Sequence, residues 1–295
     1  MAAPAGLPDK HNPVAGILWM TMAAVCFSAA FVLVKALQDG GMTVFQAVLM
    51  RQVFGLLVFS PALFNGWRDI LKSTVRPRHF LRAVAGFGGM SCGYYSLHLI
   101  NLAQAVSLQF TLPIFTAFFA VWVLGEKIRR HRMIATITGF AGVLVIVRPG
   151  FESLSLGAIL ALASAACYGL ADTNARYLSR FDPVHGIMIH NFVFVIVLSA
   201  IPSAIWWVTP PIDLWPLALG FVLLGITAQY CLTRAYGAAE VGLVAPILFL
   251  RLPLVAIVGF VLFGQGTEIW TWIGAAVIFL SATWMARVET RRAAA

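Results

Sequence analysis

Ten runs of apolar residues, most about 20 long, follow one another down the chain. They cover roughly 14–37, 43–63, 79–99, 103–124, 132–148, 154–178, 184–208, 214–236, 240–263 and 269–286. A helix of that length crosses the hydrocarbon core of a bilayer, ~30 Å thick. Short turn-forming stretches such as QDGGM, RPGFE, TPPID and GQGTE separate the runs. A segment in lipid must satisfy its own backbone hydrogen bonds, so each run is read as a helix. Charged residues make up only 11% of the 295 positions, against about 25% in a soluble domain. The polar surface that a soluble fold needs is missing. The expectation is an all-α polytopic membrane protein. The first run is longer than the apolar part of a cleaved signal, and no clear cleavage site follows it, so it is read as a span.

The net charge of +9 suggests nucleic acid only until the cations are placed. If the helices alternate, sixteen Lys and Arg fall on one side: Lys10, Arg68, Lys72, Arg76, Arg78, Arg82, Lys127, Arg129, Arg130, Arg132, Arg176, Arg180, Arg234, Arg287, Arg291 and Arg292. The other side has Lys35 and Arg148, while Arg51 and Arg251 fall inside helices. Positive charge is retained on the cytoplasmic side. Both termini are therefore expected in the cytoplasm, and the basic balance reflects topology rather than a polyanion partner. Cys26, Cys92, Cys167 and Cys231 all lie within helices, with no CxxC, and the six histidines show no HxxH or HxxxH spacing. Neither a disulfide framework nor a metal site is expected.

The chain repeats itself. Val25–Leu37 reads VCFSAAFVLVKAL, and 141 residues on Ala166–Leu178 reads ACYGLADTNARYL. Cys26 falls on Cys167, Phe27 on Tyr168, and Lys35 on Arg176. Further on, Cys92 falls on Cys231, Gly86 on Gly225 and Gly125 on Gly264, each at a shift of 139, and Pro113 falls on Pro253 at 140. Helices 1–5 thus correspond to helices 6–10. Five is odd, so the second copy enters the membrane from the opposite side. Inverted repeats of this kind characterise secondary transporters, whose halves rock about a central site. The domain reading is a tail over 1–13, a first five-helix repeat over 14–148, a second over 154–286, and a tail over 287–295.

Three segments carry a resemblance: GILWMTMAAVCFSAAFVLVKAL, LAQAVSLQFTLPIFTAFFAVWVLGEK and VGLVAPILFLRLPLVAIVGFVLFG. With them the chain resembles the ten-helix EamA branch of the drug/metabolite transporter superfamily, over nearly its whole length. One departure is visible: Gln265 follows Gly264 where Glu126 follows Gly125. The resemblance implies a basket of helices 1–4 and 6–9 around a central cavity, with helices 5 and 10 outside. It also implies small-metabolite transport, as in a bacterial exporter of aromatic amino acids.

Ionisable residues inside a membrane are costly and mark candidate sites. Arg51, Arg251 and Asp172 qualify. Asp172 and Arg176 are four apart and could pair along one helix, as a coupling site or merely as structure. Arg51 could reach a headgroup, and Arg251 could bond carbonyls left unpaired by Pro246 and Pro253. If Asp172 is neutralised by Arg176, two arginines remain that suit a carboxylate. Candidate lining adds Gln109, Asn174, His190, Asn191, Gln229, Tyr94, Tyr95, Tyr230 and the repeat-related pair Phe27/Tyr168. These side chains could equally bond helix to helix. Pro113, Pro246 and Pro253 are candidate gating kinks. Trp206, Trp207, Trp215, Trp270 and Trp272 read as interfacial belt residues.

The sequence reading is a secondary transporter working by alternating access. It is an exporter of amino acids or other carboxylate-bearing metabolites, aromatic ones included, and not an enzyme. The alternative is drug or cation efflux with Asp172 as the cation and proton site. A membrane-embedded enzyme or a purely structural membrane protein is more distant. No GxxxxGK[ST] is present, so ATP does not drive it through that motif. No cofactor is expected. The partners are a small-molecule substrate, the lipid bilayer and a proton as coupling ion, with no nucleic acid. The chain acts as a monomer or homodimer in the bacterial inner membrane.

Overall fold

The computed structural model describes residues 13–59, 73, 75–125, 130–147, 155–239 and 244–293. Among the described residues all regular structure is helical. The order is α1 (Pro13–Asp39), α2 (Val44–Phe59), α3 (Arg76–Leu99), α4 (Leu102–Gln109), α5 (Leu112–Leu124), α6 (Arg130–Val147), α7 (Leu156–Leu178), α8 (Val184–Ile205), α9 (Trp215–Ala238), α10 (Arg251–Phe263) and α11 (Ile269–Ala293). Short 3₁₀ turns, Ile212–Leu214 and Ala245–Leu250, precede α9 and α10. Among the described residues, five helical stretches are long and apolar enough to cross a membrane: Pro13–Asp39, Leu102–Leu124, Leu156–Leu178, Gly186–Ile205 and Ile212–Ala235. Four apolar helices are shorter. Lys10, Arg68, Lys72, Glu126, Lys127, Arg129 and Arg148 lie outside the described residues.

The fourth and ninth spans are both broken, at matching places. α4 stops at Gln109, and α5 restarts with Pro113 in its first turn. The 3₁₀ stretch Ala245–Leu250 stops just before α10, whose third residue is Pro253. A proline has no N–H and clashes with the preceding turn, so it is accepted at the start of a helix and not within it. Both spans end on a left-handed glycine, Gly125 at φ 69° and Gly264 at φ 64°. Only glycine takes that cap without a Cβ penalty. Gln265 then donates no charge but a carbonyl: its Oε1 accepts from Leu102 N at 3.0 Å, tying the start of α4 to the end of α10.

Packing follows the inversion. α1 lies antiparallel on α9, with Gly16 against Ala239 and Gly220 against Leu33. α7 lies antiparallel on α3, with Gly89 against the Tyr168 ring and Gly93 against Ser164. Exchanging the two halves turns one pair into the other. The cysteines obey the same exchange: Cys26 neighbours Cys231, and Cys92 neighbours Cys167. α2 packs on α8, and α6 on α11, each helix meeting its own counterpart. α6 and α11 cross where Gly142 and Gly274 meet backbone to backbone. The molecule is thus two inverted five-helix repeats. Small residues at the crossings let the helices approach, as membrane helix pairs require. Trp206, Trp207, Trp215 and Trp270 are exposed, and Trp272 is half-buried.

Candidate functional site

Arg51, Tyr94, Tyr168 and Arg251 come together from α2, α3, α7 and α10. Arg51 Nη1 donates to the Tyr94 hydroxyl at 2.8 Å. Tyr168 lies close enough to interact with Tyr94, Arg51, Arg251 and Asp172. Tyr94 is buried, and its ring meets Phe31 and Phe221 edge-on, 6.4 and 5.9 Å between centroids. These contacts fix the hydroxyl that holds Arg51. Gly89 and Gly93 on α3 leave the space into which Tyr168 and Ser164 fit, and Ser164 Oγ donates to Gly89 O at 2.7 Å.

Arg251 is the first residue of α10, directly after the 3₁₀ break. Its guanidinium lies against the rings of Phe27 and Phe31, 5.1 and 5.0 Å from their centroids. Those two residues are one turn apart on α1 and share a face. Nε and Nη2 are buried and have no hydrogen-bond partner among the described residues. Among the described residues these two nitrogens therefore bond no carbonyl; Gly242, whose carbonyl Pro246 would leave unpaired, lies outside them. The two nitrogens form one edge of the guanidinium, the edge that grips a carboxylate with two parallel hydrogen bonds.

Other candidates fall around this cluster. A Cβ on Gly225 would sit 3.6 Å from Arg51 Nε. Gln229 is one turn further on the same face of α9 and exposed. On the opposite wall a Cβ on Gly86 would sit 3.5 Å from Asn191 Oδ1. Since Gly86 and Gly225 are repeat-related, Asn191 occupies in one half the place that Arg51 occupies in the other. Gln109 Nε2 is buried beside Gly93 without a partner. Tyr95 and Tyr230 are exposed, against His98 and Trp19 respectively. Asn174 is buried, its Nδ2 donating to Leu170 O. Nothing is described of the Pro246 side chain.

Asp172 is exposed on α7, and Arg82 on α3 acts on it electrostatically, so a cation from another helix bears on it. An apolar groove of about 510 Å³ lies between α2 and α9, lined by Met50, Phe54, Ile212, Trp215, Pro216 and Leu219. It has no charged lining.

Sequence reasoning passed over Phe31, Arg82, His79 and Asp182. The i, i+4 spacing of Phe27 and Phe31 was a usable signal for the first. The others are joined only by the tertiary fold.

Two inverted halves around a charged, half-buried cluster at their broken helices are the architecture of a membrane transporter. The chain belongs to the EamA-like transporter family, whose model matches residues 14–148 and 155–287. It is similar to a riboflavin transporter of Vibrio cholerae serotype O1, 26% identical over 289 residues and covering 96% of each chain. It is also similar to an S-adenosylmethionine uptake transporter of Rickettsia bellii, 27% identical over 266 residues, covering 89% of this chain and 90% of that one. Solute carrier family 35 member G1 of Mus musculus is 28% identical over 293 residues, covering 92% of this chain and 78% of that one. A solved structure described only as a crystal structure of a protein shares the fold, with a TM-score of 0.59 at 19% identity and 96% of this chain covered. The protein is a membrane transporter of small metabolites and not an enzyme.

Proposed function

We propose that the chain carries small metabolites bearing a carboxylate together with a flat ring, by alternating access about the Arg51–Arg251 cluster. The observation that carries this is the unpartnered Nε–Nη2 edge of Arg251, buried against Phe27 and Phe31. An unmet donor in a membrane interior costs several kcal/mol. A carboxylate would meet both donors at once, and the two rings would stack on an aromatic side group. Arg51 is already engaged by Tyr94 and supplies positive field rather than the first grip. Aromatic amino acids fit this chemistry. So does S-adenosylmethionine, which joins an amino-acid carboxylate to an adenine ring. Riboflavin shares the flat heterocycle and offers imide carbonyls in place of the carboxylate.

The direction proposed from the resemblance is export. The uptake named for the Rickettsia bellii relative favours the reverse as a second reading. Both use the same site, and the gradient decides between them. The positive-inside rule orients the Arg-rich end to the cytoplasm, and the bacterial relatives favour an inner membrane.

Purified protein in liposomes tests the proposal, using labelled tryptophan, S-adenosylmethionine, riboflavin and tryptamine in exchange and net flux. Transport of tryptophan or S-adenosylmethionine with exclusion of tryptamine, which lacks the carboxylate, is the expected result. Transport of tryptamine alone would return the site to the cation reading centred on Asp172.

A further inference from the structure

Among the described residues, a titratable cluster outside the arginine site joins the two repeats. It sits at the end of the molecule that holds Arg78 and Arg180, and it ties the first repeat to the second. His79, in the first turn of α3, is buried. Its Nε2 lies 2.8 Å from Asp182 Oδ2, in the connection between α7 and α8. Ser73 Oγ donates to the same carboxylate oxygen at 2.7 Å. The His79 ring stacks on His190 of α8, with centroids 4.3 Å apart and planes at 23°. Arg82, next along α3, reaches Ile187 O at 3.4 Å.

The hydrogen bonds assign the tautomers. Facing a carboxylate, His79 Nε2 carries the proton; facing the Gly186 carbonyl at 2.9 Å, His190 Nδ1 does. Each ring then has one bare nitrogen. That of His79, Nδ1, is buried with no partner among the described residues. A proton placed there finds no acceptor while the rings are stacked. It gains one only if the stack parts and water enters. Protonation of His79 sets a cation against the His190 ring, 4.3 Å away between centroids, with Arg82 as a second cation nearby, and Asp182 is the carboxylate bonded to His79. Asp172 on α7 acts on Arg82.

The opposite end has no such device among the described residues. There the repeats are tied by Gln46 Nε2 to Val208 O, Asn101 Nδ2 to Gly266 O, and Leu102 N to Gln265 Oε1. Amides do not titrate. Lys35 lies over the Phe263 ring, and His98 is exposed and joins no repeat. At the repeat-related positions of the imidazole pair stand Met50 and Ala218.

We propose that the His79–His190 stack, with Asp182, is a proton-binding site whose occupation releases one end of the transporter. This rests on the alternating-access reading, and it couples opening at that end to local acidity. A proton from bulk water takes the lone pair of a bare imidazole nitrogen. The stack separates, and α3 parts from α8.

The test needs no substrate, so its failure is separate from failure of the proposed substrate class. Spin labels at Leu81→Cys on α3 and Arg180→Cys beyond α7, both exposed, are introduced in protein whose native cysteines are replaced, held in lipid nanodiscs. Between pH 8 and pH 5.5 the long-distance population should rise at least about tenfold, as linkage to one proton allows. His190→Phe keeps a ring on the stack and should abolish the response. His79→Gln keeps a donor for Asp182 and should do the same, so the test survives misfolding of either variant. Distances that ignore pH when His79 and His190 are both intact, or variants that respond as that protein does, would overturn the proposal.

Discussion

Arg51 and Arg251 look alike in sequence, each an arginine within an apolar span, yet the fold gives them different work. Arg51 is bonded to Tyr94; Arg251 keeps an edge unpaired. Arg251→Lys keeps the charge and loses the planar edge, so affinity for carboxylate substrates should weaken. Arg251→Gln should be worse, by about 10- to 150-fold, the equivalent of one charge-assisted hydrogen bond of ~1.5–3 kcal/mol. Liposome uptake at matched protein amounts reads this; normal affinity with a lowered melting temperature would mean a purely structural arginine. Asp182 carries a different prediction. Burial raises its pKa, but hydrogen bonds from Ser73 and His79 outweigh that and hold it below the ordinary carboxylate value. A carboxylate depressed in the fold stabilises it above its unfolded pKa of ~3.9. That contribution is lost as pH falls through the lower, folded value. Asp182→Asn should therefore lower the melting temperature in detergent at pH 7 and narrow the gap to the parent protein below about pH 4. An equal gap at both pH values would show that the charge on Asp182 does not matter.

At the scale of elements, the two halves differ where their helices touch. Gly169 on α7 faces Phe115 and the backbone of Thr116 on α5, and a Cβ there would come to 2.8 Å. The repeat-related position on α1 is Ser28, whose hydroxyl bonds back to Ala24 O at 2.7 Å. α7 therefore lies closer to α5 than a side chain would permit, and Thr173 Oγ1 reaches Thr116 O at 3.3 Å. Gly169→Ala should push these helices apart, costing about 1–3 kcal/mol of stability. Ser28→Ala, which loses only a bond within its own helix, should stay within about 1 kcal/mol. Thermal unfolding of both variants in detergent makes the comparison. Equal melting temperatures would mean that α5 and α7 have room to spare.

The whole molecule is a symmetric frame with asymmetric decoration. Phe27 and Phe31, which flank Arg251, correspond to Tyr168 and Asp172; Arg251 itself corresponds to Thr111. One half thus presents a cation between rings, and the other a phenol, a carboxylate and a hydroxyl. Rocking about the shared axis would offer the substrate the same cluster from either side. Orientation is the prediction at this scale. If the spans alternate, sixteen of twenty basic residues fall on one side, so a reporter fused after Ala295 should be active only in its cytoplasmic form. Activity of a periplasmic reporter there would reverse the molecule.

Length and hydropathy by themselves determined the helical class, because a backbone in lipid has no other way to meet its hydrogen bonds. The shifts of 139–141 determined the inversion, because a five-helix copy must re-enter from the other side. Pro113 and Pro253, being proline, announced the two broken spans. What remained illegible was pairing. Asp172 could be read beside Arg176, four apart on one helix, but not beside Arg82, ninety residues away, which also acts on it. Arg51 and Tyr94 are likewise joined across 43 positions, and His79 and Asp182 across 103. Periodicity reports which face of a helix is polar. It does not say which other helix that face meets, and only the tertiary structure decided which donors found partners and left the edge of Arg251 without one.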